Sequence, residues 1–278
     1  FDDPETVTVA TKAGLNDDPH HGHLDVGQVI VTWRGQAYVA DHGSGKYFYD
    51  EKYFDEVRWT YPVAGSEGHN LVFVDGEAQR SAKYKDSPWT PGVGGKILEF
   101  RASPSRDYTL MDNAGAYART HLKGWRRHIV LDKPVVTVLL DEVVSDPGAE
   151  IEARFHSDAE IVPRDRFALL KGTAGMMAVI PVSSAPLSIR AGSHSYRPVK
   201  KDAETIVIPY VGAVLAAAGA TTRLATIVVP VDDAAEATAI LRSVKSSMAG
   251  DRASFSFRKG SRTFTYRFSG AAGLVLER

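Results

Sequence analysis

The sequence contains no cysteine, so no disulfide can hold this chain together. It also lacks any run of about 18 apolar residues, the length that a membrane-spanning helix needs. The formal net charge of -1 excludes a global positive field that would attract nucleic acid. Any polyanion must therefore meet a local cluster of basic residues. Neither nucleic acid nor a membrane is an expected partner.

Signs of division into several domains are also missing. No internal repeat, low-complexity linker or clear boundary interrupts residues 1–278, so we expect a single domain over this range. The chain begins with Phe1, and no charged and then apolar signal segment precedes FDDPETVTV. It resembles a mature piece or a fragment. The absence of cysteine does not decide the compartment, because many exported bacterial proteins have no disulfides.

Short β-rich segments bounded by Gly, Pro, Asp and Asn dominate the chain. VIVTW (29–33) and AYVAD (37–41) flank a glycine-containing turn at 34–36, which predicts a hairpin. VVTVLLDEV (135–143) is a continuous apolar run, typical of a strand that is covered on both faces. Further strands are predicted at 71–79, 126–131, 151–156, 176–182, 204–210, 223–231 and 253–268. The pattern predicts an all-β fold, a large antiparallel β-sandwich.

One segment has helical periodicity. DDAAEATAILRSVKS (232–246) begins with two aspartates after a proline, as helix starts often do. Its apolar residues Ala237, Ile240, Leu241 and Val244 recur at helical spacing. We expect a single helix here.

Histidines are concentrated near the start of the chain. Three of the nine lie in PHHGHLDVG (19–27) beside Asp25, and EGHN (67–70) adds His69. Imidazole and carboxylate groups suit zinc and similar divalent metals. A metal site, a catalytic base and a solvated loop are all compatible with this pattern.

Geometry places a condition on a shared metal. A hairpin turning at Gly35 pairs position 41 with about position 29. If the preceding residues ran on as a straight strand, His23 would lie roughly 20 Å from Asp41, at ~3.3 Å per residue. A site with both ligands therefore requires residues 22–27 to fold back, and Gly22 and Gly27 allow such a bend.

Four motifs occur in a distinctive order: HHGHLD, ADHGSGKY, VRWTY and EGHNLVFVDG. Over roughly residues 10–80 they resemble the C-terminal domain of the heparinase II/III-like polysaccharide lyases. RRHIVLDKPVVTVLLDEV and ARFHSDAE are softer matches. The resemblance implies β-elimination of uronic-acid-containing glycans, an acidic polysaccharide or oligosaccharide as substrate, and a periplasmic or secreted bacterial location. It also implies an N-terminal helical toroid in the same protein. This chain shows no such helical array, so alone it should be inactive or nearly so.

The resemblance also implies roles for individual residues. A divalent metal, most often zinc, is held by His23, Asp41 and His69. His21 lies in the active cleft as a candidate base or as a neutraliser of the substrate carboxylate.

Substrate contacts follow from the same resemblance. Lys46 stands where an arginine that contacts the substrate carboxylate is more usual, and lysine keeps the charge but loses the bidentate fork. Arg58 is the second candidate substrate-binding residue, with Trp59 beside it at the cleft rim. Tyr47, Tyr49 and Tyr53 are expected to pack against the helical domain.

Other interpretations stay open. A non-catalytic carbohydrate-binding or interdomain β-sandwich would be favoured by exposed aromatics on a flat sheet face. A metal hydrolase would need Asp25 or Glu67 as a general base beside a metal-bound water. An apolar face left by the absent helical domain would favour a homodimer.

Three more segments carry expectations. KGWRRH (123–128) is interpreted as a solvated strand face, with an anion-binding strip as the alternative. His156 is expected to be buried and hydrogen-bonded, and HSYRP (194–198) is expected to be a loop.

Overall fold

The computed structural model describes residues 3–16, 21–42, 56–81, 92–197, 204–248, 252–269 and 273–275. Strands dominate these residues, and no helix among them is long and apolar enough to cross a membrane. The strands are β1 Thr8–Thr11, β2 Val29–Trp33, β3 Gln36–Val39, β4 Val72–Val74, β5 Lys96–Ala102, β6 Arg106–Asp112, β7 Gly124–Asp132, β8 Val136–Val144, β9 Glu150–His156, β10 Glu160–Pro163, β11 Ala168–Lys171, β12 Met176–Ser183, β13 Leu187–Tyr196, β14 Ile206–Ala216, β15 Thr221–Val231, β16 Lys245–Ser247, β17 Arg252–Lys259, β18 Arg262–Ser269 and β19 Gly273–Val275.

An eight-stranded antiparallel sheet forms the centre, in the order β10-β11-β12-β15-β8-β7-β6-β5. Its central strand β8 is buried on both faces, as the run VVTVLLDEV predicts. Leu139 and Val143 enter a core on one face, and Val138 and Leu140 enter a second core on the other. The large antiparallel β-sandwich is therefore confirmed, with sheets on both sides of the central one.

Different elements cover the two faces. The four-stranded sheet β13-β14-β9-β4 and the three-stranded sheet β1-β2-β3 pack over the first core. The four-stranded sheet β16-β17-β18-β19 and one α-helix pack over the second. The histidine-rich segments belong to the side of the first core, where Val26 and Leu71 are buried.

The predicted hairpin at 29–41 is present, with a tighter turn than expected. Arg34 and Gly35 both have positive φ, which gives a two-residue turn of the kind that suits strand twist. Gln36 already belongs to β3, where it pairs with Trp33. The hairpin in the tail likewise turns at Gly260 and Ser261, between β17 and β18.

The predicted helix is α1, Ala234–Ser243. The Asp233 side chain accepts a hydrogen bond from the Glu236 backbone N–H at 2.8 Å, which caps the first turn. Ala237 and Ile240 are buried in the second core, as the spacing predicts. The helix ends earlier than residue 246, because the chain enters β16 at Lys245.

Two expectations are wrong. HSYRP is not a loop throughout, since residues 194–196 complete β13. KGWRRH is not a solvated face: Trp125 and Arg127 are fully buried, whereas Arg126 is exposed. Arg127 is buried because it pairs with Asp141 on the neighbouring strand, a contact that the segment itself does not indicate.

Candidate functional site

Residues 21–28 form an irregular loop that leads into β2. Leu24 N–H donates to Ala64 O at 2.9 Å, and Gly27 N–H donates to Lys12 O at 2.8 Å. Gly27 has φ +88°, and a Cβ there would lie 2.6 Å from the Trp125 ring. Only glycine fits both the conformation and the space. The chain thus folds back over residues 22–27, as a shared metal site requires.

A second segment lies against this loop. Short 3₁₀ helices at Glu56–Thr60 and Ser66–Gly68 bring His69 to the start of β4. A Cβ on Gly68 would lie 2.1 Å from Pro62 O, so this bend also needs glycine. Arg58 is 1% exposed, and its Nε donates to Gly22 O at 2.8 Å. Arg58 therefore holds the loop that carries His21 and His23, and its contact with substrate stays a prediction.

Asp41 follows the end of β3 and supplies a third part of the site. Its Oδ2 accepts a hydrogen bond from Gln28 Nε2 at 2.7 Å. Its Oδ1 lies 3.2 Å from His69 Nδ1, close enough for an ion pair but without hydrogen-bond geometry. The structure thus brings Asp41 to His69, although the two are far apart in sequence.

His23, Asp25 and His69 form the centre of the cluster. One potential ligand atom from each lies within 4.8 Å of the others, and the two imidazole rings are 5.2 Å apart. Asp25 is also paired with Lys12, whose Nζ lies 2.5 Å from Oδ1. Two of the predicted ligands, His23 and His69, therefore lie together with Asp25. The third predicted ligand, Asp41, approaches His69.

The imidazole of His69 shows the strongest sign of an incomplete site. Its side chain is completely buried, and neither ring nitrogen has a hydrogen-bond partner among the described residues. Leaving a buried polar atom without a partner costs free energy, typically about 1–3 kcal/mol. A divalent cation bound by His23, His69 and a carboxylate would give one of the two nitrogens a partner, and this donor set suits zinc. The residues present therefore fit the metal that the motifs imply.

Burial sets the charge of the cluster. Burial first, and then the neighbouring His69, lower the pKa of His23 to about 4, although Asp25 and Asp41 oppose the shift. His23 is consequently neutral near pH 7, the form in which imidazole binds a metal.

The remaining predicted residues lie at the edge of the described region. His21 is exposed at the start of the loop, two residues before His23. Lys46 and the tyrosines at 47, 49 and 53 lie outside the described residues.

Sequence reasoning missed the residues that hold the site together. Asn70, completely buried, donates from Nδ2 to Val29 O and Ala40 O at 2.8 Å each. Its Oδ1 accepts from the His156 backbone N–H at 2.6 Å. One amide thus joins β2, the end of β3 and β9 beside His69. The asparagine of EGHN was the signal, since the motif places it next to a candidate ligand.

His156 is buried and hydrogen-bonded, as expected. Burial holds its pKa well below the ordinary histidine value. Its ring lies 6.1 Å from that of His42 and 6.2 Å from that of His194. A row of imidazoles therefore continues behind the candidate metal cluster.

Comparison with known protein families shows which family this chain belongs to. The model of the heparinase II/III-like C-terminal family matches residues 3–243. This chain belongs to that family. The match includes every residue of the candidate metal cluster. No curated protein sequence matches significantly.

Solved structures show the same fold. A crystal structure of heparinase III is similar, with a TM-score of 0.71 and 15% identity, over 96% of this chain and 40% of that one. The heparan sulfate lyase HepC from Pedobacter heparinus matches with a TM-score of 0.69 and 10% identity, over 95% of this chain and 39% of that one. This chain of the heparinase II/III-like family therefore spans about two fifths of the length of these enzymes.

Proposed function

We propose that this chain is the β-sandwich part of a polysaccharide lyase that cleaves uronic-acid-containing glycans by β-elimination. It contributes a divalent-metal site, most simply for zinc, and one wall of the active cleft. The observation that carries this proposal is the buried His69 without hydrogen-bond partners, in contact with His23 and two carboxylates. A simple binding module has no need of such a cluster.

The reaction breaks two bonds and forms one double bond. A base removes the proton from C5, the electron pair forms the C4–C5 double bond, and the C4–O bond breaks. An acid then delivers a proton to the departing glycosidic oxygen. The substrate carboxylate must be neutralised, because charge builds up beside it as the C5 proton leaves.

We assign the base or the neutralising role to His21. It is exposed, and it lies on the loop whose position is held by the Arg58 hydrogen bond to Gly22 O. Lys46 is the proposed contact for the substrate carboxylate. The proton donor is expected in an N-terminal helical toroid of the same protein. A bound divalent ion would supply a fixed positive charge that holds this loop against His69.

Metal content gives the first test. Elemental analysis of the purified chain should find about one zinc per chain after metal is supplied, and none in the His23→Ala/His69→Ala variant. A matched control, His121→Ala, removes an exposed histidine outside the cluster and should leave the metal in place. No metal in either the parent or the control would remove the main support for the proposal.

Activity gives the second test. The chain joined to its helical domain should raise the absorbance of the new double bond when it is mixed with heparan-type glycans or alginate. His21→Ala should abolish this signal while the metal stays bound. Full activity of that variant would exclude His21 from the chemistry without affecting the metal site.

A further inference from the structure

The sheet β16-β17-β18-β19 has one buried and one exposed face. Strand alternation points the aromatic side chains inward: Phe255, Phe257, Phe264, Tyr266 and Phe268 are all buried in the second core. The intervening residues of β16, β17 and β18 face outward. We call them the outer face; its members are Lys245, Ser247, Arg252, Ser254, Ser256, Arg258, Thr263, Thr265, Arg267 and Ser269.

The pairing register of β16, β17 and β18 aligns the residues of the outer face in four rows that run across the strands. The rows are Arg252 with Ser269, then Ser247, Ser254 and Arg267, then Lys245, Ser256 and Thr265, then Arg258 with Thr263. Within β16, β17 and β18 each row contains one cation, and its other members are all serine or threonine. In β19, Gly273 continues the first row and Val275 the second. Alternate residues of a strand are ~6.6 Å apart, so the four rows extend over about 20 Å.

Most of the charge on this face is not neutralised by ion pairs within the part of the chain that the structure describes. All four basic side chains are exposed. No carboxylate of a described residue forms an ion pair with Lys245, Arg252 or Arg258. Lys259, nearby at the hairpin turn, differs because it is paired with Glu236. The outer face thus combines evenly spaced positive charge with hydroxyl groups.

We propose that the outer face binds an acidic polysaccharide, as a second glycan-binding surface apart from the candidate metal site. Arginine and lysine bind carboxylate and sulfate groups, and the hydroxyls of Ser and Thr bind sugar hydroxyls. Four rows in succession suit a linear polymer that repeats its negative charges. The outward side chains include no aromatic residue, so the stacking platform that single-stranded nucleic acids use is missing.

The position of this surface supports a separate role. Its sheet packs on the second core, whereas the histidine loops lie on the side of the first. The eight-stranded sheet therefore separates the two, and both can be occupied at once. The family match ends at residue 243, before β16, so the assignment rests on the outer face itself and not on the family. Binding there would tether a long polymer to the protein and so raise the local concentration of its free segments at the cleft.

Binding of heparin and of alginate to the whole chain tests this inference. The quadruple variant Lys245→Gln/Arg252→Gln/Arg258→Gln/Arg267→Gln should bind both polymers about tenfold more weakly, with a shallower dependence on salt. The matched control removes four exposed cations elsewhere, as Lys96→Gln/Arg164→Gln/Arg166→Gln/Lys171→Gln. It should bind like the parent, although the two variants have the same net charge. Thermal unfolding confirms that both are folded.

Three results would overturn the inference. The first is no binding of either polymer by the parent at low salt, and the second is equal loss in the variant and the control. The third is equally tight binding of duplex DNA, which would make this a general polyanion surface. The His23→Ala/His69→Ala variant separates this inference from the proposed lyase function, because it should lose metal and keep its affinity for the polymers.

Discussion

Two groups of buried polar side chains lie side by side in this protein, and they differ in how completely they are satisfied. Arg127 and Asp141 are both fully buried, and Arg127 Nε and Nη2 donate to the two carboxylate oxygens at 2.8 and 3.1 Å. Trp125 Nε1 donates to Asp141 as well, at 2.8 Å. His69 is equally buried, yet neither of its ring nitrogens has a hydrogen-bond partner among the described residues. The hydrogen bonds of the first group are supplied by the protein itself, whereas the second leaves two buried nitrogens open to the ligand that we propose.

The two groups are also connected. Arg127 Nη1 donates to Gly27 O and to Asn70 O, at 2.8 Å each. Gly27 lies in the loop that carries His23, and Asn70 follows His69 directly. Arg127 therefore positions the two backbone segments that carry His23 and His69. This difference separates a buried ion pair that stabilises the fold from a cluster that the fold keeps at a cost in stability.

The largest expected effect is on the satisfied group. Arg127→Met should lower the free energy of unfolding by about 3–5 kcal/mol, because it leaves the buried charge of Asp141 without its partner. Urea denaturation measures this. Arg126→Met on the exposed face of the same strand is the control and should stay within about 0.5 kcal/mol of the parent. Equal costs for the two variants would show that Arg127 does not stabilise the fold.

The second prediction asks which carboxylate completes the metal site. Asp41 directs Oδ1 at His69, whereas Asp25 already neutralises Lys12. Asp41→Asn should therefore weaken zinc binding by about a hundredfold, and Asp25→Asn by less than about tenfold. Titration with zinc in competition with a chelator measures both. The reverse order would assign Asp25 as the ligand in place of Asp41.

Local parts of the fold were predictable from the sequence, because their causes are local. The turn at Arg34 and Gly35 and the capped helix at 234–243 depend on neighbouring residues. The burial of β8 on both faces follows from its continuous apolar run. The fold-back of residues 22–27 was predictable only as a condition for a shared metal site. It depends on the close approach of the Trp125 ring to Gly27, which leaves no space for a Cβ.

Partners that are distant in sequence were not predictable. The burial of Arg127 was not predictable from KGWRRH, because Asp141 lies on the next strand and the pairing register decides that they meet. The contact between Lys12 and Asp25 is hidden for the same reason. The approach of His23 to His69 was nevertheless expected, since their motifs occur in the order typical of the family.

A third prediction concerns Glu142 of β8, which is paired with His128 of β7 and with Arg223 of β15. The hydrogen bond from His128 and the one from Arg223 lower the pKa of Glu142 to about 2. A depressed carboxyl pKa stabilises the fold at pH values above the unfolded value of 4.5, and this contribution is lost as the pH falls toward 2. Glu142→Gln should therefore cost about 1–2 kcal/mol at pH 7, after allowance for solvent screening.

The pH dependence distinguishes this effect from lost packing. The difference in unfolding free energy between Glu142→Gln and the parent should shrink below pH 4.5 and vanish near pH 2. The exposed Glu160→Gln is the control and should show little difference at any pH. A cost that stays constant down to pH 2 would attribute the effect to shape and not to charge.

The smallest expected effect is the most informative about the cluster. In a chelator, His69→Leu should leave the unfolding free energy within about 1 kcal/mol of the parent, because leucine removes two buried nitrogens that lack partners. With zinc at a hundredfold excess over its dissociation constant, the parent should gain about 2.7 kcal/mol and the variant nothing. His156→Leu is the matched control: it removes a buried ring that lies 3.3 Å from Asn70 Oδ1, so it should be destabilised with and without zinc. If His69→Leu instead behaved like His156→Leu, His69 would be a structural histidine. The contrast with Arg127 and Asp141 would then not mark a functional site.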